Sequence, residues 1–290
     1  MSPPSIETIK NKSIKFFEKK VLSNLNFGTN IYERNWKILI VLDACRYDLF
    51  KEFAPEHDCY DWFSEVESIR SVASSTQIWL PRTFLTADRE LVNKTHYISG
   101  VGQTKKHLPQ DIFYQIDDVW EYANDPDYGQ TNPEAITDAA IAAIRNSGAS
   151  KFIIHYPEPH APFHHCIGKY GAVGKSQDVW NKSLADGEVD KSEVWDDYGQ
   201  NLLMVLEEVE KIIRNSDGRI IVTSDHGNAL GEWGFYGHPR HVPISSIRRV
   251  PWAETSGIGE NNYEVKGKEK MTTEVENLSV EENLEALGYV

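Results

Sequence analysis

The chain is short of cysteine, of cationic charge and of long apolar runs, and each shortage excludes something. Three cysteines, Cys45, Cys59 and Cys166, stand in 290 residues. An odd, sparse set with no zinc-finger spacing argues against a disulfide framework or a structural zinc module, and a reducing cytoplasm is the expected setting. Lys and Arg number 30 against 44 Asp and Glu, a formal net charge of −14. Nucleic-acid binding over the whole surface is therefore not expected, because phosphate contacts need clustered cations. A small basic pocket for an anionic substrate stays compatible with that balance. No apolar run approaches the roughly 20 residues that span a bilayer, and the N-terminus, MSPPSIETIKNKSIKFF, lacks the apolar stretch of a signal peptide.

Aromatic residues, by contrast, are plentiful. Eight tryptophans, thirteen tyrosines and 40% hydrophobic content fit one large domain with a sizeable core. Charge is unevenly spread. Residues 1–37 hold seven Lys and Arg against three Glu, and residues 254–290 hold nine Glu against three Lys. The first stretch carries Ile14, Phe17, Val21 and Leu25 along one helical stripe. It reads either as a helix packed on the domain or as a basic amphipathic segment in peripheral contact with a membrane through residues 5–25. The expected division is a helical segment over 1–30 and one domain over 31–290. That domain would carry a polar insertion or lid at about 166–190 and an acidic tail at about 254–290, with a short helix over 280–287.

Within the domain, strand and helix patterns alternate. Lys37-Ile38-Leu39-Ile40-Val41-Leu42 is a continuous apolar run ending at Asp43, the pattern of a parallel strand buried on both faces. Lys151–Tyr156 and Arg219–Thr223 repeat it, and Thr95–Ile98 is a weaker candidate. Asn132-Pro133 starts a helix that Asn146-Ser147-Gly148 stops. Val194, Tyr198, Leu202, Val205, Leu206, Val209 and Ile213 mark one face of a long helix over 192–214. Val250–Ala253 is expected as a last, edge strand. The class is α/β, a doubly wound, mostly parallel sheet between helices.

The chemistry-bearing residues fall at strand ends, where open α/β sheets bind ligands. Asp225 and His226 follow the strand Arg219–Thr223, and Asp43 ends another. Together they form an oxygen and nitrogen donor set suited to Zn²⁺ or Mn²⁺, and less to Mg²⁺ or Ca²⁺. Alone, Asp43 reads equally well as a helix cap. Ser74, Ser75 and Thr76 offer adjacent hydroxyls before a helix-like run, either an anion-binding nucleophile segment or a cap and turn cluster. His155 and His160 are expected on a rigid, proline-held loop, poised to bind phosphate oxygens or, with His238, a second metal. His164 and His165 are expected to support that loop or to face solvent.

These residues make four ordered motifs: ILIVLDACRYD with Asp43; SSTQIWLP with Thr76 and Pro81; His155-x4-His160-x-Pro162; and SDHGNALGEWGFYGH from Ser224 to His238. In this order they resemble the alkaline phosphatase superfamily, in its sulfatase-like and phosphoethanolamine-transferase-like branch, among whose members are small archaeal sulfatase-like proteins. The resemblance spans residues 37 to 240. It implies that Asp43, Thr76, Asp225 and His226 hold the main metal, and that Thr76 is the nucleophile, with Ser75 in reserve. It also implies that His155, His160 and His238 bind the transferred group, its leaving group or a second metal; on chemical grounds His160 or His238 is expected to protonate the leaving oxygen. The substrate would be a phosphate or sulfate ester of a small molecule, glycan or lipid head group. One departure bears on chemistry: the C/S-x-P-x-R pattern that yields formylglycine in sulfatases occurs nowhere in the chain. Phosphate esters are therefore expected first, sulfate esters second, and a non-catalytic metal- and anion-binding module third.

Overall fold

The computed structural model describes residues 28–126, 128–170 and 179–266. The stripe over 5–25 and the helix expected over 280–287 lie outside these residues, as do residues 171–178 of the expected lid. Seven strands form the central sheet: β1 (Ile38–Asp43), β2 (Glu65–Arg70), β3 (Thr95–Ser99), β4 (Gln115–Asp118), β5 (Lys151–Pro159), β6 (Arg219–Thr223) and β7 (Arg249–Ser256). Their spatial order is β2-β7-β6-β1-β5-β3-β4. The run β6-β1-β5-β3-β4 is parallel throughout. Only β7 runs antiparallel to both its neighbours. The doubly wound, mostly parallel sheet is what the strand and helix alternation calls for.

Every residue of β1 is buried, because both sheet faces are covered. Ile38, Ile40 and Leu42 join the apolar cluster on one face. There they meet Val205, Leu206 and Val209 from the long helix Lys191–Arg214. Leu39 and Val41 join the opposite cluster with Trp79, Leu80, Phe84 and Tyr97. The period of two along the strand thus sends alternate side chains to two cores. Asp43, continuing the Leu39 and Val41 series, emerges on the side of the helix Thr76–Phe84.

Four expectations change. The strand holding His155 does not stop at Tyr156 but runs to Pro159, so His155 is a strand residue and not part of a loop. Proline is compatible here because the register with β1 shifts between Leu42 and Asp43, leaving a gap in the ladder at Pro157. Val250–Ala253 is not at an edge: β7 lies between β6 and β2. The true edge strand, β2, reads EVESIR and keeps only Ile69 buried, so its sequence has no apolar run to betray it. Asn30 belongs to the domain rather than to the preceding segment: it is buried, caps the turn Ile31–Glu33 and donates from Nδ2 to Thr83 O at 2.9 Å. Finally, the acidic stretch begins inside β7, with Glu254–Ser256 paired to β6.

Candidate active site at the carboxyl edge of the sheet

β1 and β6 end side by side, and the loops that leave them meet. After Asp43 the chain turns sharply through Ala44, a non-glycine residue at φ 61°. Such a backbone costs about 1–3 kcal/mol and persists only when its surroundings hold it. Here the Tyr198 hydroxyl donates to Ala44 O, and Ala44 N donates to Asp225 Oδ1 at 3.1 Å. His226 N donates to the same oxygen at 2.8 Å. Asp225 Oδ1 is thereby held by backbone, and Oδ2 turns toward Thr76.

Gly227 shows how tightly this loop is packed. A Cβ there would sit 2.4 Å from Ser246 O and 2.8 Å from Arg46 Cγ. Its N–H donates to Ile247 O at 2.7 Å. A side chain would push the Asp225–His226 pair off the sheet edge. Glu232, from the same motif, accepts from Leu230 N at 2.6 Å and from Arg46 Nη1 at 3.0 Å. Burial works against its ionised form, but the Arg46 guanidinium and two backbone N–H groups outweigh that and bring its pKa down to about 2.

Thr76 is the first residue of its helix, with Ser75 as the capping residue. Its Oγ1 lies 2.8 Å from Asp225 Oδ2, 3.4 Å from Asp43 Oδ2 and 3.2 Å from His226 Nε2. All four residues are buried. The carboxylate oxygens of Asp43 and Asp225 and His226 Nε2 lie within 4.8 Å of one another. The structure therefore brings together Asp43, Thr76, Asp225 and His226, which the sequence places up to 183 positions apart.

The protons in this cluster do not suffice for its acceptors. His226 Nδ1 faces Gly227 O at 3.2 Å, and a carbonyl only accepts, so Nδ1 carries the hydrogen. Burial, and then the neighbouring His160, lower the His226 pKa to about 3, so the ring is neutral near pH 7. Its Nε2 lone pair then points at Thr76, as do the two carboxylates. One hydroxyl hydrogen faces three acceptors. His226 Nε2 also lies 3.3 Å from Asp225 Oδ2 and 3.5 Å from Asp43 Oδ1, lone pair against lone pair. A buried surplus of acceptors is repulsive unless a cation shares the space. The donor set of two carboxylates, an imidazole and a hydroxyl fits a divalent metal on this ground.

A second group of imidazoles adjoins the first. His238 lies with its ring centroid 4.5 Å from that of His226, and His238 Nε2 is 3.0 Å from His160 Nε2. His160 Nδ1 faces Ala161 O at 2.7 Å and so carries hydrogen. One Nε2–H bridges the two rings, and which of them donates follows from their tautomers. His160 is brought to this place by its own backbone, since His160 N donates to Asp43 O at 3.2 Å.

Other expected residues go elsewhere. His155 is fully buried in β5, where its Nδ1 lies 2.7 Å from the Tyr97 hydroxyl and its ring stands against Trp79. Burial lowers its pKa to about 4. It has no exposed surface, and its Nε2 is buried without a hydrogen-bond partner among the described residues, so the structure sets it apart from the His160 and His238 pair. Ser75 is buried too, and its Oγ makes no hydrogen bond among the described residues. Thr76, not Ser75, therefore occupies the cluster. Ser74 Oγ donates to Pro239 O at 2.9 Å, fastening this segment to the residue after His238. His164 lies 3.7 Å from Glu158 with its ring against Tyr128, while His165 lies 2.8 Å from Asp197. Of the lid region, the helix Val179–Ala185 is described; its Trp180 is buried, and its Asn181 adjoins Gly237 next to His238. Sequence alone assigns Arg46, Ala44 and Tyr198 no role at the site, Tyr198 being marked there only as part of a helix face. No spacing signals them, because each acts through a contact that forms only in the fold.

No family model matches the chain, and no curated protein does. Solved structures do. The integral membrane lipooligosaccharide phosphoethanolamine transferase A from Neisseria meningitidis matches with a TM-score of 0.53 at 15% identity, over 94% of this chain. The chain spans 59% of that protein's length. The C-terminal periplasmic domain of EcEptC from Escherichia coli matches with a TM-score of 0.52 at 12% identity, over 81% of this chain and 77% of that one. A candidate sulfatase from Bacteroides thetaiotaomicron matches with a TM-score of 0.51 at 10% identity, over 76% of this chain and 64% of that one. Among the described residues no helix is long and apolar enough to cross a membrane. The chain has the alkaline-phosphatase-like α/β fold that these proteins share.

Proposed function

We propose that the chain is a metal-dependent enzyme of the alkaline phosphatase superfamily that transfers or hydrolyses phosphate esters through Thr76. The observation that carries the reading is the Thr76 hydroxyl, 2.8 Å from Asp225 and within 3.4 Å of Asp43 and His226, in a buried cluster with more acceptors than protons. Asp43, Thr76, Asp225 and His226 would hold the ion, with Zn²⁺ or Mn²⁺ suiting the imidazole better than Mg²⁺ or Ca²⁺. A divalent cation there supplies a lowered hydroxyl pKa and compensates charge on the transferring oxygens. As the Thr76 proton passes to Asp225 Oδ2, its partner at 2.8 Å, Oγ1 attacks phosphorus, an O–P bond forms, and the ester O–P bond opposite it breaks. Asp225, fixed by Ala44 N and His226 N, keeps the Thr76 oxygen aimed. His238, acting as an imidazolium, passes a proton to the departing oxygen and returns to neutral imidazole, while His160, its Nδ1–H anchored on Ala161 O, orients it. Water or an acceptor alcohol then releases the phosphoryl group.

Sulfate esters are the second reading, favoured by the fold shared with the Bacteroides protein and by the common tetrahedral shape of the two anions. By analogy with the transferases, the substrate class is an ester on a small molecule, glycan or lipid head group. The three free cysteines fit a reducing, cytoplasmic setting. Turnover of aryl phosphate mono- and diesters and of aryl sulfates, each with Zn²⁺ or Mn²⁺, ranks the readings. Loss of all turnover in Thr76→Ala is expected. Unchanged turnover in that variant refutes the mechanism, and bound metal without turnover of any ester in the wild type leaves a binding module.

A further inference from the structure

Between His226 and His238 the chain makes an excursion whose tip is Trp233. Its side chain is 87% exposed, the most open large apolar residue among those described. Its backbone lies at φ 57° and ψ 20°, within a turn spanning Glu232–Gly234. A left-handed conformation at a bulky residue costs about 1–3 kcal/mol. An exposed indole returns no burial energy against that cost. The turn is nevertheless held firmly: Glu232 is clamped by Arg46 and Leu230 N, and Gly231 N donates to Phe235 O at 2.8 Å. A strained turn, held by hydrogen bonds, thus displays an aromatic face on the segment that joins His226 to His238.

Trp233 borders a cavity of about 230 Å³. Its wall abuts the site loop, since Arg46 and Ser246 are the residues that crowd Gly227. The other walls are charged but balanced, with Arg46 and Arg249 against Asp48 and Glu232. Arg249 lies over the Tyr47 ring at 4.3 Å, which fixes its guanidinium plane. Ser246 Oγ, also lining the cavity, is buried without a hydrogen-bond partner. The formal charge of these walls is zero, so they do not select an ion. Arg46 spends its donors on Asp48, Glu232 and Asn228 O, so the walls offer chiefly Arg249 and the outward lone pairs of the two carboxylates, next to an aromatic face. That combination matches a ligand with many hydroxyls on one side and C–H groups on the other.

We infer that the cavity beside Trp233 is a subsite for a neutral sugar, the carbohydrate part of the ester whose phosphoryl group reaches Thr76. This rests on the ester-transfer reading and names the alcohol half of its substrate. A membrane surface fits less well. Insertion needs an apolar cluster with a basic rim, whereas the other exposed large apolar residues, Leu85, Tyr114, Ile167 and Ile258, do not line this cavity.

The test is direct binding, which needs no turnover. The full chain is titrated calorimetrically with neutral gluco-, manno- and N-acetylglucosamine hexasaccharides, and separately with phosphatidylglycerol vesicles. At least one hexasaccharide is expected to bind. Trp233→Ala is expected to weaken it at least about tenfold, or ~1.4 kcal/mol, while Trp233→Phe retains most of the affinity. Trp233→Gly, which relieves the φ strain, is expected to melt no lower than wild type and still to lose the sugar. No hexasaccharide binding, binding indifferent to Trp233→Ala, or Trp233-dependent vesicle binding without sugar binding overturns the inference. A chain that turns over aryl phosphates but binds no sugar defeats the subsite alone. A chain that binds the sugar through Trp233 but turns over equally well as Thr76→Ala defeats the mechanism alone.

Discussion

Asp43→Asn should raise the stability of the metal-free chain and lower that of the metal-loaded one. Asp43 is 4% exposed and Asp225 is fully buried, with ligand atoms within 4.8 Å of each other. Two unit charges at that distance repel by about 3.5 kcal/mol at an effective dielectric of 20. An amide in place of the Asp43 carboxylate removes that repulsion and brings N–H donors to the side where Thr76 Oγ1, Asp225 Oδ2 and His226 Nε2 meet. Lost shape complementarity and altered hydrogen bonds offset part of the gain, leaving about 1–3 kcal/mol in chelator. For a chain of this size that is a rise in Tm of roughly 2–5 °C. Metal reverses the order. A ligand present at a thousand times its Kd stabilises the chain that binds it by about 4 kcal/mol. Wild type gains that amount, while Asp43→Asn, with one carboxylate fewer, gains little. Differential scanning calorimetry of both chains, in chelator and in excess Zn²⁺ or Mn²⁺, reads the crossing. A variant that melts lower than wild type in chelator, with metal shifting both chains equally, refutes the cation site and with it the account of the proton shortage.

Further outcomes test the surrounding machinery. His238→Ala should lower kcat for aryl phosphates by about 10²–10⁴ if its Nε2–H protonates the leaving oxygen; the loss should shrink for leaving groups of low pKa, and an equal loss for all of them counts against acid catalysis. Glu232→Gln should cost about 2 kcal/mol of stability at pH 7. Glu232 titrates near 2 in the fold against an ordinary value of 4.5, so its contribution is present above pH 4.5 and fades as pH falls toward 2. The gap between the two chains in denaturant titrations should narrow over that window, and a gap constant from pH 7 to 3 contradicts the Arg46 ion pair. Gly227→Ala should destabilise by about 1–3 kcal/mol and reduce metal affinity, because its methyl meets Ser246 O and Arg46; an unchanged melt refutes the close approach.

The parts legible in the sequence were those with a local cause. Continuous apolar runs announced β1, β5 and β6, because a parallel strand covered on both faces has no polar side. Asn132-Pro133 announced its helix because a capping side chain and a preset φ act within one turn, and Asn132 does accept from Glu134 N. What stayed hidden depended on partners far along the chain. β2 looks polar because it is an edge strand. Arg46 looks like any surface arginine until Glu232 arrives 186 positions later. Trp233 carries no mark in the sequence that it stays outside the core.

The histidine pair shows how strand pairing separates His155 from His160. In β5, His155 pairs with Val41 and Tyr156 with Leu42, but Asp43 pairs with Pro159. Two residues, Pro157 and Glu158, are inserted opposite a single step of β1. An uninterrupted ladder would set Pro157 opposite Asp43 and carry His160 beyond the edge of the sheet. The bulge instead draws His160 back, so that its N–H bonds Asp43 O and its ring reaches His238. His155, before the bulge, stays in register and points into the core beside Tyr97 and Trp79. One irregularity in the ladder thus divides two histidines five residues apart between the buried sheet and the candidate site, and it leaves no trace in composition or periodicity because it is a property of the pairing between two strands.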